Sequence, residues 1–251
     1  MKFCEQLIEK SLVSRILQVF FSLHSFLFMK EYPKQTQESM AMGVAYFDKY
    51  KQNGIPLMFI DSVLPNHYRM NYAIVGDTAS ENPAYENQRA ISSPHNFQIG
   101  MAWAPPGNGP HWHTHDYIEM FVPLKGSWRF FWSNDPNPAT PEGDGSFLLN
   151  EWDVISLPAG VYRRFENASD EIAWFFAVLE SHKVYEGKDP YWSPIVENAA
   201  AGYGFMANEK GKMVKPENAD AVDKDLHEML NKSFEELEGK TLEEFSPKSA
   251  T

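Results

Sequence analysis

At 251 residues, with 43% hydrophobic, 14% aromatic and 22% charged residues, the chain is long enough for one substantial core and too apolar to be disordered throughout. A formal net charge of −12 argues against nucleic acid and anionic bilayers as partners, because both attract a basic face. The one cysteine, Cys4, cannot close an internal disulfide, so a cytoplasmic location is expected. In chain order, the apolar run at 12–28 is broken by Arg15, Gln18 and His24 and has no small-residue cleavage site after it. It therefore makes a poor signal peptide and a poor membrane span, and residues 1–39 are expected to be an N-terminal extension. That run reads as an appended amphipathic helix or as sequence upstream of a start at Met29, ahead of a third reading as a weak membrane-surface helix.

Two strands are expected at 55–63 (IPLMFIDSV) and 68–75 (YRMNYAIV), followed by a loop rich in Pro, Asn and Asp from Gly76 to Asn96. A dense series of short apolar segments then runs from 97 to 180, with turn signals between them: FQIGMAWA, IEMFVPL, SWRFFW, SFLL, DVISLP, YRRFEN and EIAWFFAVLE. That spacing predicts an all-β sandwich or barrel over 40–190, with the first strands as N-terminal additions. Residues 191–251 are expected to be a C-terminal extension with an acidic amphipathic helix. Leu226, Met229, Leu230, Phe234 and Leu237 recur at helical spacing there, between Asp220 and Asp223 near the start and Gly239 at the end.

The chemistry concentrates in PPGNGPHWHTHDYIEMFVPLKG, residues 105–126. On an extended strand, His111, His113 and His115 would share one face, and Glu119 would arrive on the next strand. Two imidazoles and one carboxylate are the donor set of a divalent transition-metal site with open positions. The segment resembles the first motif of the cupin superfamily, G-x5-H-x-H-x3-E-x6-G, with Gly107, His113, His115, Glu119 and Gly126 at every fixed position. The second cupin motif, G-x5-P-x-G-x2-H-x3-N, is approached by WDVISLPAGVYRRFEN: Pro158, Gly160 and Asn167 match, Trp152 replaces the first glycine, and Arg163 replaces the histidine. The resemblance covers about residues 95–182 and implies a single cupin jelly roll with the site inside the barrel. It further implies a metal held by His113, His115 and Glu119, with Fe2+ first and Mn2+, Zn2+ or Ni2+ as alternatives.

A guanidinium offers no lone pair, so Arg163 cannot be the fourth ligand. Three roles stay open: it clamps an anionic substrate group, it cedes the fourth position to His111 or His182, or it pairs with Glu119 in a barrel without metal. Strand alternation places Trp128, Phe130 and Trp132 on one face and turns Arg163 and Phe165 inward, so these five are the expected substrate pocket. The expected function is that of a non-haem dioxygenase or related oxidoreductase acting on a small organic acid, aromatic acids included. The alternatives are a regulatory binding cupin and a metal-dependent isomerase, lyase or decarboxylase. A homodimer is expected from family habit.

Overall fold

The computed structural model describes residues 32–76, 80–85, 88–180, 189–210, 213–214 and 216–245. Two compact units divide the chain, residues 1–40 and 41–251. The described part of the first holds the start of a short helical turn, Gln37–Ala41. The expected helix at 12–28 and the Met29 start lie outside the described residues.

Among the described residues of the second unit, besides a two-stranded ribbon of Met206–Ala207 and Met213–Val214, ten strands make the main sheets: β1 (Met70–Val75), β2 (Gln98–Ala104), β3 (His113–Thr114), β4 (Glu119–Lys125), β5 (Trp128–Ser133), β6 (Gly145–Leu149), β7 (Ile155–Leu157), β8 (Tyr162–Asn167), β9 (Ala173–Leu179) and β10 (Tyr191–Trp192). They form two five-stranded antiparallel sheets, ordered β1-β2-β9-β4-β7 and β10-β3-β8-β5-β6. Alternation is the cause of their packing. Along β9 every second residue from Ala173 to Leu179 is buried, and along β8 the buried set is Arg163, Phe165 and Asn167. Their inward faces interlock in one core, where Ala102, Phe121, Phe175 and Ala177 of the first sheet meet Trp128, Phe130, Leu149 and Phe165 of the second. The rings of Phe130 and Phe165 stack at 4.7 Å, and Phe121 lies 4.5 Å from Phe165.

Helices close the outer faces. Helix α1 (Pro194–Ala201) is capped by the Ser193 hydroxyl, which accepts the Ile195 N–H. Its Val196 and Ala200 cover the outside of the second sheet together with Trp112, Phe131 and Trp192. Helix α2 (Ala219–Glu238) lays Leu230 and Phe234 over Trp103, Met70 and Ile172 on the outside of the first sheet. Leu237, expected on that apolar stripe, is instead 39% exposed. Asp223 acts as a tether, accepting from the Leu57 N–H and the Tyr85 hydroxyl. Gly239 ends the helix with φ +69°, a left-handed conformation that costs glycine nothing.

The strand expected at 55–63 is not one. Ile55 makes a single bridge to Asn71, and Ile60–Val63 is a 3-10 turn. Leu57, Ile60, Val63 and Leu64 are all buried under α1, and a short apolar run has the same sequence appearance whether it is a strand or a packed irregular segment. The turn has a consequence for the interior, because it places Asp61 where its carboxylate receives both Nη atoms of Arg69, at 3.1 and 2.9 Å.

Candidate metal centre

Strand β3 is only two residues long, and its His113 pairs with Arg163 of β8. Glu119 opens β4, where it pairs with Leu157 on one side and Leu179 on the other. The side chains of His113, His115 and Glu119 are buried and converge, with one potential ligand atom of each within 4.8 Å of the others. The Nε2 of His115 is 3.5 Å from Glu119 Oε2.

The far side of each imidazole is already committed. His113 Nδ1 lies 2.7 Å from the carbonyl oxygen of His111, which can only accept, so Nδ1 carries the proton and Nε2 keeps its lone pair. His115 Nδ1 donates to Asp189 Oδ1 at 2.8 Å, and Asp189 Oδ2 accepts the Tyr117 hydroxyl at 2.5 Å. Outer partners of this kind orient metal-binding histidines and raise their basicity. Burial, reinforced by His115 and Arg163, holds His113 well below the usual histidine range, so it stays neutral and able to donate. Burial pushes the Glu119 carboxyl up, while His115 and Arg163 pull it back. Glu119 Oε2 is buried with no hydrogen-bond partner, an acceptor that a cation would satisfy. Two imidazole nitrogens and one unmet carboxylate oxygen fit a divalent transition metal.

His111 does not join them. The backbone is extended only over His113–Thr114, so the shared face expected for the three histidines breaks before His111. The His111 ring stacks on His67 at 4.0 Å, and its Nδ1 accepts the Trp112 N–H at 2.8 Å. Burial depresses both rings, His67 to about 4 and His111 to about 3. His182, the other expected substitute ligand, lies outside the described residues.

Arg163 is fully buried. Its Nε stands 3.8 Å from Glu119 Oε2, and Nη2 donates to the Pro158 carbonyl at 3.2 Å. At 3.8 Å the two charges attract without forming a hydrogen bond. Arg163 therefore sits behind the carboxylate.

A cavity of about 80 Å³ opens beside the three residues, between the sheets. Phe121, Phe165, Phe175 and Leu179 make its apolar wall, with Arg69, Asn71 and Gln98 as its other polar members. Of the five residues expected to form the pocket, Phe165 lines this cavity. Trp128 and Phe130 belong to the packed core, and Arg163, 3.8 Å from Glu119, does not line the cavity. Trp132 lies at the surface against Gly143 and Gly145, beside a groove of about 750 Å³ along β6 and β7. Alternation fixes the face of a side chain but not its depth, and Trp132 lines that groove instead of the cavity. Sequence reasoning missed Arg69, Asp61, Asp189 and Trp192. Each lies outside the motif segments, and no local pattern marks it.

The pairing of His113 with Arg163 sets the two motif segments side by side as neighbouring strands of a jelly roll, with the three expected ligands inside. The chain has a cupin fold. Family models and curated proteins give no match to this chain. Among solved structures it is similar to an RmlC-like cupin family protein of double-stranded β-helix fold from Methanocaldococcus jannaschii, at 20% identity over 34% of this chain and 71% of that one, with a TM-score of 0.29. It is also similar to a cupin domain from Schizosaccharomyces pombe, at 15% identity over 45% of this chain and 64% of that one, TM-score 0.32. A third, the oxalate decarboxylase formate complex of Lactobacillus farciminis, is 15% identical over 50% of this chain and 30% of that one, TM-score 0.34. No helix among the described residues is long and apolar enough to cross a membrane.

Proposed function

We propose that this cupin is a metal-dependent enzyme, a non-haem oxygenase or related oxidoreductase acting on a small organic acid. One observation carries it: two imidazoles with their Nδ1 atoms tied back and a carboxylate oxygen without a partner converge on the wall of an internal cavity. A bound divalent ion would supply Lewis acidity or redox capacity at coordination positions left open by only three protein ligands, and Fe2+ is the ion this donor set favours. His113, His115 and Glu119 hold it. Asp189 and the His111 carbonyl keep the imidazoles aimed, and Arg163 offsets the charge of Glu119 from behind. The phenylalanine wall excludes water and leaves space for a small substrate. We further propose a homodimer in the cytoplasm.

A second reading, a regulatory binding cupin, draws on the 3.8 Å approach of Arg163 to Glu119, which would neutralise the carboxylate without a metal. Elemental analysis of protein purified without added metal, repeated on His113→Ala, separates the two. The enzyme reading expects about one equivalent of metal, iron foremost, falling to near zero in the variant. Near-zero metal in both proteins would leave the binding module standing.

A further inference from the structure

Arg69 is the wall residue that nothing above has used. Its side chain is 1% exposed, and Asp61 receives it end-on, through Nη1 and Nη2. Nη1 also donates to the His67 carbonyl at 2.9 Å. That arrangement commits both Nη atoms and leaves the Nε–H, which is buried with no acceptor in the protein on a residue that lines the cavity. A buried donor on a charged group with no acceptor bears the cost of its lost water, and a ligand oxygen in the cavity would remove that cost.

Asp61 also ties this donor to the metal centre. The same Oδ2 that holds Arg69 Nη1 accepts the His111 N–H at 2.8 Å, and the His111 carbonyl in turn holds His113 Nδ1. Arg69 and His113 thus share one buried anchor, so the distance between the free Nε–H and the ligand set is fixed by covalent chain and short hydrogen bonds. Size limits the occupant. A cavity of only about 80 Å³ favours a short ligand over a bulky one. The largely apolar wall and the unpartnered Arg69 Nε–H suit a small ligand with one carboxylate.

We propose that Arg69 is the specificity residue of this cavity, its Nε–H donating to a carboxylate oxygen of the ligand, and that the ligand class is short aliphatic monocarboxylic acids. This rests on the enzyme reading for its chemistry but not for its test. Because Asp61 already balances the charge of Arg69, discrimination comes from the directed, charge-assisted hydrogen bond rather than from net positive potential.

The test is calorimetric titration of the purified full-length protein with propionate, its neutral isostere propionamide, and benzoate, with metal content measured on the same samples. Wild type is expected to bind propionate at least tenfold more tightly than either of the others. Arg69→Lys keeps a cation beside Asp61 but has no Nε–H. It is expected to lose tenfold or more in propionate affinity, and the preference over propionamide, with circular dichroism and metal content unchanged. Equal binding of propionate and propionamide by wild type, no binding of propionate, or full propionate affinity in Arg69→Lys would each overturn the proposal. Benzoate bound as tightly as propionate would overturn the short-chain limit. Propionate binding that depends on Arg69 in a protein without metal would sink the enzyme reading and leave this one intact. Should the variant misfold, the wild-type comparison of acid and amide decides alone.

Discussion

Asp189 is separated from His115 by 74 positions, yet its carboxylate decides which nitrogen of that imidazole faces the cavity. Asp189→Asn keeps the shape but replaces a carboxylate with a weaker, neutral partner. It is expected to lower metal affinity about 10- to 100-fold with little change in folding, measured by competition against a chelator. Unchanged affinity would show that His115 is oriented by something else. The contrast among residues is instructive. His113, His115 and Glu119 were legible because their spacing lies within one strand and one turn, where local geometry dictates which side chains can meet. Arg69, Asp61 and Asp189 were not, since their roles arise from contacts made only after distant segments pack.

Trp152 poses the clearest question for an element. It stands where the second cupin motif has glycine, just before β7, and its backbone is left-handed, φ +69°, while its side chain is 71% exposed. A bulky residue there carries strain of about 1 kcal/mol or more, and the exposed indole returns little by burial. Trp152→Gly is therefore expected to raise stability by about 0.5–1 kcal/mol in urea denaturation, after the entropy glycine adds to the unfolded chain. A clear loss of stability would mean that the indole holds a contact that its exposure hides. The strands from β2 to β9 were legible for a related reason: turn residues punctuate them, and along β8 and β9 the inward positions alternate. The segment at 55–63 was not, because its apolar run serves a 3-10 turn beneath α1.

Acid stability belongs to the whole molecule, since it compares the folded state with the unfolded one. Burial is the main reason the His67 ring titrates at about 4, against 6.5 for an ordinary histidine; Asp61 and the Gly109 carbonyl oppose the shift. Below pH 6.5 the unfolded chain takes up a proton that the folded state refuses until about pH 4, so the stability carried by neutral His67 is complete above 6.5 and is lost as pH falls towards 4. At 1.36 kcal/mol per pKa unit this is on the order of 3 kcal/mol. Denaturation midpoints are expected to fall between pH 7 and 4, and to fall less steeply in His67→Gln; parallel curves would remove His67 as the cause. At this scale too, the sequence by itself determined the class of fold and the three candidate ligands, because strand alternation and the histidine spacing act over a few residues. Only the tertiary structure decided that the cavity wall belongs to Arg69 and not to Arg163. Which buried charge meets the interior space depends on how two sheets and a 3-10 turn stack in depth, and that is a property of packing with no period along the chain.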